Sequence, residues 1–179
     1  ALEPFQKGFL AHTWPDQAGF FGDGKCAMAL MGNWMYGAQK GNSASGEGLG
    51  DDNMGMFNMP MTAGGLGDAG DTLGGINGWL FSSSAPDSAV ELIMHYNSIE
   101  TTSADAASGA YIPVVKGADA SIENEFLQQV AKNIANSEYH QIFYDQFLGA
   151  DIGRVVNDVS TDLAAGIITP EEATQAVQE

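Results

Sequence analysis

Phe21-Gly22-Asp23-Gly24-Lys25-Cys26-Ala27-Met28-Ala29-Leu30-Met31-Gly32-Asn33-Trp34 is the stretch on which the fold turns. Phe20 and Phe21 close an apolar run that reads as a helix, and Gly22-Asp23-Gly24 supplies turn residues. Lys25 to Met31 is then a short apolar run bounded by glycine, the pattern of a buried strand. Cys26 sits inside that run, where an inert buried thiol is the default. Gly32 and Asn33 follow at the strand's end, so the ring of Trp34 is placed where it can protrude into a cleft.

Working outward, residues 41–53 are rich in glycine, serine and acid, which is loop composition. Met54 to Met61 alternates weakly and suggests another strand; residues 62–75 form a second glycine-rich loop. Trp79-Leu80-Phe81 is a short apolar run between Gly78 and Ser82, again a strand, which makes Trp79 a core residue. Pro86 and Asp87 then open a helix, with Ala89, Leu92, Ile93, Tyr96 and Ile99 on one inward face and His95 beside them in a structural place. Ser121 is a cap for a helix carrying Phe126, Val130 and Ile134. A further stripe runs Ile152, Val155, Val156, Val159, Leu163 and ends near Gly166. Thr169-Pro170-Glu171-Glu172 is a capping box with Pro in first position. Strands interspersed with helices in this manner predict an α/β protein. No internal repeat is visible.

The chain has 179 residues, and its hydrophobic content of 44% is that of a globular domain. Acidic residues outnumber basic ones by 23 to 6, giving a net charge of −17. That field repels phosphate backbones and argues against nucleic acid as a partner, while leaving a neutral ligand unopposed. The acids read first as a solvated face, and their excess over lysine is also the pattern of adaptation to saline surroundings. No apolar run reaches the roughly 18 to 20 residues of a membrane helix. With one cysteine, Cys26, no internal disulfide can form.

Enzyme signatures are absent: there is no G-x-S-x-G, P-loop, CxxC or H-E-x-x-H pattern. The glycines at 64–67 and 74–75 do not follow a strand and open a helix as a dinucleotide fingerprint would. His12, His95 and His140 are far apart, and the acidic loops at Asp51-Asp52-Asn53 and Asp68 to Asp71 lack the spacing of a calcium-binding loop. No metal or cofactor is expected. The best ligand clue is aromatic: Trp14, Trp34 and Trp79 offer flat faces of the kind that stack on the C–H face of a sugar ring.

The opening stretch resembles the F-x-x-G-K-x-A-M-x-x-x-G-x-W segment of family 1 extracellular solute-binding proteins, the superfamily of maltose-binding protein. Three further blocks agree in order: Leu73 to Trp79 followed by the Pro86 helix, Tyr111-Ile112-Pro113-Val114, and Gly166-Ile167-Ile168-Thr169-Pro170-Glu171-Glu172-Ala173. The resemblance implies a two-lobed periplasmic-binding-protein (type II) fold of which this chain is the C-terminal part. Ala1-Leu2-Glu3-Pro4 shows no leader or lipid-attachment cysteine and opens as if within a helix. On this expectation residues 1–60 belong to the C-terminal lobe, 61–112 return to the N-terminal lobe, and 113–179 are the helical remainder of the C-terminal lobe.

The resemblance further implies a non-enzymatic receptor of an ABC importer that holds an uncharged oligosaccharide in the cleft, outside the cytoplasm, and delivers it to permease subunits. Ligand contacts are expected from Trp34 by stacking and from Asn77, Gly75, Tyr111 and Asp145, the last within Tyr144-Asp145-Gln146. The earlier part of the same polypeptide would be a further partner. Two alternatives from other classes are a glycoside hydrolase fragment, for which no carboxylate pair stands out, and an interaction module pairing with another chain.

Overall fold

Local signals decide most helix boundaries, and tertiary packing decides very little. The computed structural model describes residues 5–75, 77–109 and 111–179; Ile76 of the Leu73 to Trp79 block and the opening Ala1 to Pro4 lie outside them. The helices are α1 (Trp14–Gly22), α2 (Met35–Asn42), α3 (Asp87–Tyr96), α4 (Ile99–Ser108), α5 (Glu125–Ala135), α6 (Tyr144–Phe147), α7 (Ala150–Ala164) and α8 (Pro170–Gln178). Two short strands, β1 (Thr72–Gly74) and β2 (His140–Ile142), pair in parallel. The protein is thus mostly helical with a small parallel sheet, an α/β mixture of the loosest kind.

The chain divides into two units, one built from 15–72 and 77–139, the other from 1–14, 73–76 and 140–179. In the larger unit α4 packs on a 3₁₀ turn at Ala118–Ser121. Ala106, Ile122 and Leu127 form its buried nucleus, with Tyr36, Ile112, Phe126 and Ala131 packed against them. α1 meets α2 at backbone distance, because Gly22 faces the Gln39 carbonyl where a methyl group would collide. In the smaller unit α6 packs on α7 and α7 on α8, and the Phe143 N–H donates to the Gly74 carbonyl at 3.1 Å beside the strand pair.

Capping chemistry is written correctly in several places. Thr169 accepts from the Glu172 N–H at 3.2 Å and Glu172 returns the bond to the Thr169 N–H at 2.8 Å, the expected capping box. α7 ends at Ala164 with Gly166 at φ 72°, as its stripe predicts. Elsewhere competing caps win. The stripe from Ala89 to Ile99 is cut in two because Ser98 adopts extended backbone and accepts from the Thr101 N–H, starting α4. Asn124, not Ser121, caps α5 by accepting from the Leu127 N–H at 3.0 Å. Pro86 stands at the cap of α3 and not within its first turn.

Three expected strands do not form. Lys25 to Met31, Met54 to Met61 and Trp79 to Phe81 all lack strand pairing. A strand is held by the ladder that satisfies its N–H and C=O groups, and these segments meet no partner strand among the described residues. Met28 and Leu30 are therefore 73% and 74% exposed, and Cys26 is half-buried instead of buried. The inward face expected for α3 is likewise uncovered: Leu92, Tyr96 and the following Ile99 are exposed, as is His95, and no α3 residue is buried.

Candidate functional site

Trp34 sits at the amino end of α2, where the turn is closed by the Met35 N–H donating to the Gly32 carbonyl at 3.0 Å and Tyr36 to Asn33 at 3.2 Å. Its six-membered ring lies over Gly32, filling the space a Cβ would need. The indole is still 47% exposed, so one part is pinned and the rest faces water. That arrangement presents a fixed apolar face at little further cost in side-chain freedom.

Two and six residues along α2 from Trp34 stand Tyr36 and Lys40, four residues apart and so on one helix face. The Tyr36 hydroxyl donates to Asp51 Oδ1 at 2.9 Å and accepts from Lys40 Nζ at 3.1 Å and from Asn124 Nδ2 at 2.7 Å. Asn124 Nδ2 also donates to Asp51 Oδ2 at 2.9 Å. Lys40 lies over the Tyr36 ring, 4.4 Å from its centre, and Tyr36 stacks on Phe126 at 5.4 Å. The bond to Tyr36, aided by the Asp51 charge, holds the Lys40 ammonium above its ordinary range. This network ties α2, the 3₁₀ turn at Asp51–Asn53 and the start of α5 together. Beside it opens a groove of about 520 Å³ lined by Asp51, Asp52, Met54, Met56, Glu123 and Phe126. Carboxylate oxygens beside methionine and aromatic carbon suit a ligand with hydroxyl donors and apolar faces, and repel an anion.

Tyr111 donates its hydroxyl to Asp105 Oδ2 at 2.9 Å. Its phenol is pushed up to about 12, first by burial, then by that bond to a carboxylate, with a smaller contribution from neighbouring Tyr96. Tyr96 in turn meets Trp79 edge-on, ring centres 5.7 Å apart and planes at 80°. Trp79 is not a core residue: it is 58% exposed, because the strand expected to bury it has no sheet to join.

The five residues expected to touch ligand are divided between the two units. Trp34, Asn77 and Tyr111 belong to the larger unit, and no hydrogen bond or ring contact joins them to one another among the described residues. Gly75 and Asp145 belong to the smaller unit, where Gly75 faces the Phe143 ring and Asp145 is exposed in the first turn of α6. The Tyr36 to Lys40 spacing was legible in sequence; the arrival of Asp51, Asn124 and Asp105 beside tyrosines was not, since each comes from a distant loop or helix. Asp68 and Asp71 spend oxygens on the Gly70 and Asp68 N–H groups of their own loop. Among the described residues no group of three or more His, Cys, Asp and Glu can hold a metal ion, and no helix is long and apolar enough to cross a membrane. No family model and no curated protein sequence matches the chain.

Proposed function

We propose that the chain is the C-terminal part of a carbohydrate-binding receptor of an ABC importer, similar to family 1 extracellular solute-binding proteins. On this reading it works outside the cytoplasm, holds an uncharged oligosaccharide between two lobes, hands it to permease subunits and performs no catalysis. Residues 1–60 and 113–179 would build one lobe and 61–112 would return to the other. The observation that carries the reading is Trp34, an indole pinned over Gly32 with its remainder exposed at a helix start. The Asp51–Phe126 groove supports it by offering hydroxyl acceptors without any arginine for an anionic ligand.

The test is calorimetry with maltotriose, cellotriose and xylotriose on the chain and on a Trp34→Ala variant. A sugar that binds should lose at least about tenfold in affinity, about 1.4 kcal/mol, in the variant. Equal affinity would remove Trp34 from the site, and no binding by any of the three would remove the reading.

A second reading, a module that pairs with another polypeptide, is favoured by the exposed apolar side chains of Met28, Leu30, Phe57, Met59 and Leu80 in runs that meet no partner strand among the described residues. Native mass spectrometry distinguishes it, since a second polypeptide should remain bound to the 18.8 kDa chain.

A further inference from the structure

Trp79, Tyr96, Tyr111 and Asp105 come from four separate segments: the irregular run after Gly78, the last turn of α3, the run after α4, and α4 itself. The break at Ser98 turns the chain back so that α3 and α4 meet, and the Tyr96 hydroxyl reaches that of Tyr111, the tyrosine bonded to the α4 carboxylate. Trp79 and Tyr96 stand nearly perpendicular and are 58% and 42% exposed, so together they present two walls of an open corner. Tyr111 occupies only Oδ2 of Asp105; Oδ1 accepts no hydrogen bond among the described residues. The corner thus combines an indole face, a phenol edge, a second phenol and a carboxylate oxygen with spare lone pairs.

From this arrangement we infer that Trp79 and Tyr96 form a saccharide-stacking corner separate from Trp34, in which Asp105 accepts a sugar hydroxyl and Tyr111 holds that carboxylate in place. The inference rests on the carbohydrate reading above and adds a location and a ligand class: a neutral pyranose unit. A neutral ring laid on Trp79 satisfies both needs of the corner, because its C–H face covers apolar indole while its hydroxyls point outward as donors. An acidic sugar is disfavoured, since its carboxylate would approach Asp105 within a chain of net charge −17. Tyr111 is a positioning residue here, and Asp105 the group that touches ligand.

The experiment follows indole N–H resonances of the ¹⁵N-labelled chain during titration with maltotriose, cellotriose and xylotriose, with Trp79 assigned from Trp79→Phe. The expected result is a saturable shift of the Trp79 indole with at least one sugar. Trp79→Ala should weaken that sugar about tenfold. Asp105→Asn, which still accepts from Tyr111 and keeps the local fold, should weaken it several-fold. If a sugar moves the Trp34 indole and leaves Trp79 unmoved, with unchanged affinity in both variants, the corner is overturned while the receptor reading stands. If none of the three sugars moves any indole, both fall.

Discussion

Gln39 grips Leu49 at both backbone atoms: its Nε2 donates to the Leu49 carbonyl at 3.3 Å and its Oε1 accepts from the Leu49 N–H at 2.7 Å. The side chain is fully buried, so this bidentate clasp is what fastens the glycine- and serine-rich run after α2 to the helix. Gln39→Ala should lower stability by about 1–3 kcal/mol, because the Leu49 groups are left without their partner. Chemical denaturation monitored by circular dichroism measures it. Gly48→Ala should do comparable harm, since Gly48 holds φ 65° and a methyl there would press on the Gln39 amide. A loss below about 0.5 kcal/mol in both would show that the clasp holds nothing.

Tyr111 should ionise well above the ordinary phenol range. Its phenol is raised to about 12 in the folded chain, against an ordinary value of about 10 once unfolded. The folded state therefore binds this proton more tightly, so the stabilisation is complete below about pH 10 and is lost as pH rises from there toward 12. A tyrosinate absorbance titration should show a phenol step near pH 12 that is absent in Tyr111→Phe. Asp105→Asn should bring it down by removing the charge that opposes ionisation, and an unmoved titration would refute the pairing.

Asn124 does two jobs with one amide: its oxygen caps α5 and its nitrogen bridges Tyr36 and Asp51. Asn124→Ala should cost about 1–2 kcal/mol for the cap and the bridge. Asn124→Asp keeps a capping oxygen but sets a carboxylate against Asp51, so it should melt below the Ala variant near neutral pH. Raising salt to about 1 M should narrow that gap, because such exposed charges are screened over about 3 Å. Equal melting of the two variants at low salt would argue that Asp51 is not held where the bridge requires.

At the other end of the chain, Thr169→Ala should destabilise α8 by about 1 kcal/mol. Hydrogen exchange at the Glu172 amide should quicken by several-fold. Bonds from Thr169, backbone first, hold the Glu172 carboxyl below its ordinary range. Its contribution is accordingly present above about pH 4.5 and disappears as pH falls below that value. The protection of α8 amides, relative to their intrinsic exchange rate, should fall in acid in the native chain and lose that acid sensitivity in Glu172→Gln.

What could be read in advance was whatever is decided within four or five residues. The Thr169 box, the end of α7 at Gly166 and the helix after Pro86 depend only on neighbours in sequence, and all are present. The inward stripe of α3 and the strand at Lys25 to Met31 were misread because an apolar pattern states what a segment can bury and not whether a cover exists. Asn124 displaced Ser121 as a cap because its side chain also reaches Tyr36 and Asp51, a gain invisible to local rules. Trp34 follows the apolar run as expected, but it stands at the start of a helix and not at the end of a strand. Trp79 was assigned to a core by the same logic that failed for its strand.

The uncovered run from Cys26 to Met31 has a consequence for handling the protein in bulk. It carries no charge and no proline, which are features of segments that stack into cross-β seeds. Opposing this is a net charge of −17, a repulsion felt across about 10 Å at 0.1 M salt but only about 3 Å at 1 M. Ionic strength, more than temperature, then governs shelf life: dilute buffer keeps molecules apart, and added salt lets the adhesive stripes find one another and turn a clear solution cloudy.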